Sequence, residues 1–234
     1  MAFEVEAINF LTPFCLRRKG ACGTSEAAKA FNIPLKTVNA GNEYLKIVRN
    51  PKFGYGKKLN PCVDCRIFIY IKAKKRAGKI GAELIFTEEV LGQRPVSQHK
   101  GALDLIERQA GLEGRILRPL SVKHLPKTEA EIKGFAKNNM LRDICRPSRK
   151  QQLEITREFN ITNYPCSSGG CLLTNREFAK KLRDLFIRRV TVKDVNLLKV
   201  GRHFRFGKNR IIVGRNEEEN KLLLRAKTEM WLAL

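Results

Sequence analysis

Arg66-Ile-Phe-Ile-Tyr-Ile-Lys-Ala-Lys-Lys-Arg-Ala-Gly-Lys-Ile-Gly-Ala-Glu-Leu-Ile-Phe-Thr87 is the stretch on which the fold turns. Its opening is rich in Ile and Phe and reads readily as a strand. The Lys-Ala-Lys-Lys-Arg-Ala continuation, with stops at Gly78 and Gly81, favours a helix. Gly81 to Thr87 then reads as a strand. Working outward, the same alternation holds. Phe3 to Phe10 alternates as a strand, and Thr24 and Ser25 offer N-caps to a helix that stops before Pro34. Leu35 to Val38 is a second strand, Asn42 to Val48 a helix halted at Asn50-Pro51, and Ala102 to Ala110 a helix ended by Gly111. Alternating strands and helices predict an α/β fold with a parallel sheet. From about residue 150 the texture changes, which predicts a smaller basic α+β region over residues 151–234. Its helices are expected at Leu153 to Phe159 and Glu177 to Ile187, with strand-like and turn-like pieces from Val192 to Leu224.

The chain has 234 residues, 43% of them hydrophobic, enough for a buried core. Lys and Arg number 46 against 23 Asp and Glu, a formal net charge of +23. Self-repulsion on that scale points to a polyanionic partner, and nucleic acid is the usual one, since each neutralised phosphate releases counterions. The first residues lack the basic and apolar regions of a secretory signal, and no apolar run suffices to span a bilayer. Seven cysteines, unevenly spaced, fit a reducing compartment better than a disulfide framework. The expected location is cytoplasmic, with no membrane partner.

The cysteines carry the chemistry. Asn60-Pro-Cys-Val-Asp-Cys65 is a Cys-x-x-Cys ahead of the helical run, and a helix N-terminus lowers a thiol pKa by its dipole. Cys171 ends the loop Tyr164-Pro-Cys-Ser-Ser-Gly-Gly-Cys171, where the glycines allow close approach of a bulky group. No second Cys-x-x-Cys is present, and His99, His124 and His203 lie in basic contexts, so a closed four-ligand zinc site is not evident. Two plus one thiolates suit an iron–sulfur cubane with one open iron, or a catalytic cysteine pair with a resolving thiol. Buried cysteines that simply pack are the third option. Cys15, Cys22, Cys145 and Cys166 are assigned mainly to packing, with Cys166 a reserve ligand.

Several strings, in order along nearly the whole chain, resemble the PP-loop tRNA sulfur transferases, the 4-thiouridine and 2-thiouridine synthetases and a related thiouridylase-like group. They are Asn60 to Cys65, Thr87-Glu-Glu-Val-Leu-Gly-Gln-Arg-Pro-Val-Ser-Gln98, Leu117-Arg-Pro-Leu-Ser121, Arg146-Pro-Ser-Arg-Lys-Gln151, Tyr164 to Thr174 and Gly201-Arg-His-Phe204. The resemblance implies an adenine-nucleotide α-hydrolase-like, Rossmann-like parallel-sheet domain over residues 1–150. It implies ATP with Mg that adenylates a uridine oxygen, and sulfur that displaces AMP. It also implies a 4Fe-4S cluster on Cys62, Cys65 and Cys171, with zinc as the alternative. Thr87, Glu89, Gln93 and Ser97 would lie near the nucleotide or the RNA end. The family's Ser-Gly-Gly-x-Asp-Ser phosphate loop has no counterpart upstream, and the family's Thr-Gly-Glu reads Thr87-Glu88-Glu89 here. The chain is then either a fragment lacking that loop or a paralog that has lost ATP activation; a homodimer or a partner chain stays open, and a second chain could supply the loop. Ile211 to Asn220 resembles the opening of an NFACT-type RNA-binding segment.

Two basic clusters are the candidate RNA contacts: Arg146, Arg149 and Lys150, and Arg202, Arg205, Lys208 and Arg210. Phe204 and Phe206 interleave the second, so they either stack on unpaired bases or face the core at strand period. The sequence thus predicts a tRNA-thiolating, sulfur-transfer protein using a sulfur donor protein or sulfide. The alternative is a non-catalytic RNA-binding protein that keeps the cysteine site as a structural clip. A thiol oxidoreductase on Cys62 and Cys65 fits the charge poorly.

Overall fold

The computed structural model describes residues 4–15, 23–136, 141–162, 171–207 and 209–226. The expectations placed on Cys22, on Tyr164 to Gly170 with Cys166, and on Lys208 lie outside those residues. The protein is a mixed α/β structure. β1 (Ala7–Leu11), α1 (Gly23–Ala30) and β2 (Leu35–Asn39) form one βαβ unit, its strands parallel with Ala7 opposite Leu35 and Leu11 opposite Asn39. After α2 (Gly41–Arg49) and α3 (Cys62–Ile80), a second unit follows: β3 (Ile85–Phe86), α4 (Lys100–Ala110) and β4 (Ile116–Leu117), again parallel. Among the described residues these strands stay as two separate pairs. The second pair runs for only two residues a strand, too short a ladder to seat a third. The expected parallel pairing is present, in a more fragmented form than one continuous sheet.

α3 is the wall between the two units, and its double burial resolves the ambiguous stretch. Phe68 packs into a core with Phe14, Tyr44, Leu45 and Val48, while Tyr70 packs into another with Ile106, Leu112 and Ile116; Ile69 touches both. A helix buried on two sides carries no one-sided stripe, so its apolar residues imitate a strand. The Asp64 carboxylate fixes the helix start to the preceding loop, accepting from the Lys52 and Phe53 backbone N–H groups at 2.8 and 3.1 Å. Gly81 ends the helix in the left-handed region at φ 67°.

The short α5 (Glu129–Ile132) and α6 (Lys150–Glu158) lead to α7 (Arg176–Leu185) and α8 (Val192–Leu197). Phe178, Leu182, Leu185, Val195 and Leu198 of this last stretch join the Phe14–Tyr44–Phe68 core, which therefore draws on both sides of residue 150. The chain ends its described course in an antiparallel hairpin, β5 (Arg202–Phe206) and β6 (Asn209–Val213), and in α9 (Glu217–Arg225). Two helices thus stand in the stretch read as strands and turns. α8 opens on a Thr191/Asp194 capping box, and α9 on Asn216 followed by three glutamates. No helix of the described residues is long and apolar enough to cross a membrane.

Candidate metal centre

Cys62 is the first residue of α3, and Cys65 lies one turn on, its N–H bonded to the Pro61 carbonyl at 2.8 Å. Cys171 precedes a short 3-10 turn, Leu172–Thr174, and an isolated antiparallel bridge joins it to Cys15, in the turn that follows β1. That junction is held by the Leu172 N–H on the Phe14 carbonyl at 2.9 Å, and Thr12 Oγ1 stands 3.4 Å from the Cys15 sulfur. The sulfurs are within electrostatic reach of one another: Cys65 feels Cys62 and Cys15, and Cys171 feels Cys65, Cys15 and Cys62. The structure brings together the three cysteines expected from sequence and adds Cys15, which sequence reasoning had left to packing. One signal for it was available: Thr12-Pro-Phe-Cys15 follows the first strand directly, and the carboxyl ends of parallel strands are where α/β folds place ligands.

Burial raises the pKa of Cys62, Cys65 and Cys171, the last up to about 12. Neighbouring sulfurs add to this at Cys65 and Cys171. Opposing it, the cations Arg94 and Arg66 favour the Cys62 thiolate, and the Tyr44 hydroxyl hydrogen-bonds the Cys65 sulfur. Burial thus acts against the lowering that a helix N-terminus exerts on a thiol. Cys15, Cys62, Cys65, Cys145 and Cys171 are all free of disulfides.

Four soft sulfur donors with no imidazole or carboxylate among them suit a thiolate-bound iron–sulfur group or zinc. Among the described residues no three Cys, His, Asp or Glu side chains converge as ligands of a single metal ion. A cubane cluster spreads its thiolates wider than one ion does.

The four candidates for the nucleotide side are not equally available. Glu89 is wholly buried and committed: the Tyr70 hydroxyl and Arg118 Nε donate to its Oε2, the latter at 3.1 Å, and Arg66 Nε lies 3.4 Å from Oε1. Burial disfavours the Arg66 charge, and Glu89 and Glu88 more than offset it. Arg66 thus links this buried network to the cysteines one residue away. Glu88, in the place of the family's glycine, projects into solvent with its side chain 81% exposed. Gln93 Nε2 donates to Gln152 of α6 at 2.7 Å, Ser97 is buried, and Thr87 bonds through its N–H to the Leu117 carbonyl at 3.0 Å.

The first basic cluster adjoins the cysteine side. The loop from Val90 to Gln98 carries Arg94, whose charge reaches Cys62, and its Leu91 carbonyl accepts from the Arg146 N–H at 2.8 Å. Arg146 and Lys150 are exposed and Arg149 is half-buried at the start of α6. The second cluster lies on the hairpin. Arg202 is exposed there, whereas Arg205 and Arg210 both pair with Asp184 of α7. Phe204 and Phe206 are 53% and 75% exposed, so they do not face the core. Lys199, just upstream, is close enough to Cys15 to feel its charge. No family model matches the chain, and no curated protein or solved structure matches it either, so the likeness to the PP-loop sulfur transferases rests on the quoted motifs alone.

Proposed function

We propose that this chain is a tRNA-modifying protein of the sulfur-transfer type, with an iron–sulfur cluster on Cys62, Cys65 and Cys171. What carries the reading is the gathering of these thiols from distant segments beside Arg94 and the Arg146–Lys150 cluster, in a chain of net charge +23. The cations hold RNA phosphate near the cysteines and give the binding its salt dependence. Tyr44, 1% exposed, supplies a hydrogen bond to the Cys65 sulfur that favours its ligand form. Arg66 does the same electrostatically, held in place by Glu89. A cluster bound through three thiolates would leave one iron open to carry sulfur to a uridine. On the ATP side, Thr87, Gln93 and Ser97 are the proposed contacts, and Glu89 acts as a positioning residue for Arg66 and Arg118.

A second reading is favoured by one observation. Cys15 stands with the other three and supplies a fourth sulfur, which would close the open position and make the site a structural clip in a non-catalytic RNA-binding protein. Calorimetry with ATP on anaerobically prepared protein, in the presence of tRNA, separates the two. Saturable ATP binding supports sulfur transfer. Tight, salt-sensitive tRNA binding with no heat from ATP supports the clip, and loss of tRNA binding defeats both.

A further inference from the structure

We propose that the outer face of the β5–β6 hairpin binds unpaired RNA by stacking bases on Phe204 and Phe206. This rests on the RNA-binding reading above and gives it a class of target: single-stranded loops or ends rather than duplex.

The register defines the face. In an antiparallel pair, residues directly opposite each other share a side, so Arg202 with Val213, Phe204 with Ile211 and Phe206 with Asn209 form one surface. Phe204, Phe206, Ile211 and Val213 on it are 53%, 75%, 45% and 50% exposed. The other surface, with His203 opposite Ile212 and Arg205 opposite Arg210, faces inward. There both arginines meet Asp184, and His203 Nε2 bonds the Val200 carbonyl at 2.9 Å.

The platform is fixed at its base. Glu219 Oε2 accepts from the N–H groups of Gly201 and Arg215 at 3.2 and 2.8 Å, joining the two ends of the hairpin to α9. Gly201 sits at φ +70°, and a Cβ there would lie 2.5 Å from the Val213 carbonyl oxygen, so the closure admits only glycine. A face held in this way needs no ordering when a ligand arrives.

The occupant follows from charge and spacing. Arg202 lies on the aromatic face itself, and Lys181, Arg205, Arg210 and Arg215 gather behind it around the carboxylates of Asp184, Glu219 and Glu177, so the cations remain in excess. Lys181 is pushed down by burial and then by Arg210 and Arg215, as in a positive field. A second copy of this chain would bring the same charges face to face, whereas RNA brings phosphates. Residues two apart on a strand lie roughly 6.7 Å from each other, about twice the rise of a strand residue. That spacing places one splayed base on each ring. In a duplex the base faces are hidden by stacking, and the deep major groove of A-form RNA is closed to side chains.

The test uses the whole chain with two probes, a short oligouridine and a blunt RNA duplex of equal length, at physiological salt. The double substitution Phe204→Leu/Phe206→Leu keeps apolar area and removes the ring faces. It is expected to weaken oligouridine binding by about tenfold or more while leaving duplex binding within about twofold. Photo-crosslinking of oligouridine to the unsubstituted protein should mark the peptide that contains Phe204 and Phe206. Unchanged oligouridine affinity in the double variant, or crosslinks confined to other segments, overturns the stacking site while leaving RNA binding intact. Failure of the unsubstituted protein to bind either probe overturns the RNA reading itself. A dimer that the substitution dissociates, seen by sedimentation, gives the face to a second copy and also overturns the proposal.

Discussion

The rings around the cysteines and the rings on the hairpin are the same kind of residue in opposite settings. Phe14, Tyr44, Phe68 and Phe178 pack against one another with centroids 5.6 to 6.1 Å apart, Phe14 edge-on to Phe178 and the other pairs tilted, and Phe14 and Tyr44 are 0% and 1% exposed. Phe204 and Phe206 lie largely in water on a strand whose inner face is tied down by charge. The difference teaches where each ring spends its apolar area. The first set holds the walls of the cysteine site, and the second leaves its faces open to a partner.

The comparison breaks most visibly under truncation. Phe14→Ala is expected to cost about 3–5 kcal/mol, because it empties a closed cavity, and Phe206→Leu less than about 0.5 kcal/mol. Urea midpoints measure both, and equal shifts would erase the distinction between core and platform. The charged groups follow the same division. Glu89→Ala leaves Arg118, only 4% exposed, with Glu107 alone and the half-buried Arg66 with the exposed Glu88 alone, so a loss of about 2–3 kcal/mol is expected. Asp184→Asn removes an acid whose side chain is 33% exposed, where solvent screening limits the cost to about 1 kcal/mol or less. The same change frees positive charge at the hairpin and should tighten RNA binding at low salt. If Glu89→Ala proves as mild as Asp184→Asn, the buried network is not what holds Arg66 beside the cysteines.

The inner face of the hairpin also carries a pH dependence. Burial, then the charges of Lys181 and Arg210, lowers the His203 pKa from 6.5 to about 4. The unfolded chain therefore binds the proton first, so the stabilisation is complete above pH 6.5 and is lost as pH falls toward about 4. Because His203 is only partly buried, the loss is at most about 2 kcal/mol. The stability difference between the natural chain and His203→Gln should change across that window. A constant difference would contradict the inward placement of His203.

Some of this was legible in the sequence, and the exceptions have physical causes. β1, α1, β2, α2, α4 and α7 stand close to where apolar spacing and caps put them. α3 was ambiguous because burial on two sides removes the one-sided period. β4 has only two residues, too few for any pattern. α8 and α9 were misread although their caps were written in Thr191, Asp194 and Asn216, since the β-rich text around them dominated. At the site, Cys62, Cys65 and Cys171 could be chosen by spacing and by glycines. Cys15 joins them through its bridge to Cys171, a long-range contact to which its place after the first strand gives only a general pointer. The pairing of Arg205 and Arg210 with Asp184 likewise depends on which hairpin face turns inward, and that is set by register rather than composition.

The central claim, that the gathered cysteines hold an iron–sulfur cluster, is tested most directly by metal and sulfide analysis of protein purified without oxygen. Iron and acid-labile sulfide in equal amounts, abolished by Cys171→Ser while the protein stays folded, is the expected result. Stoichiometric zinc without sulfide, or no bound metal in the folded protein, would contradict it.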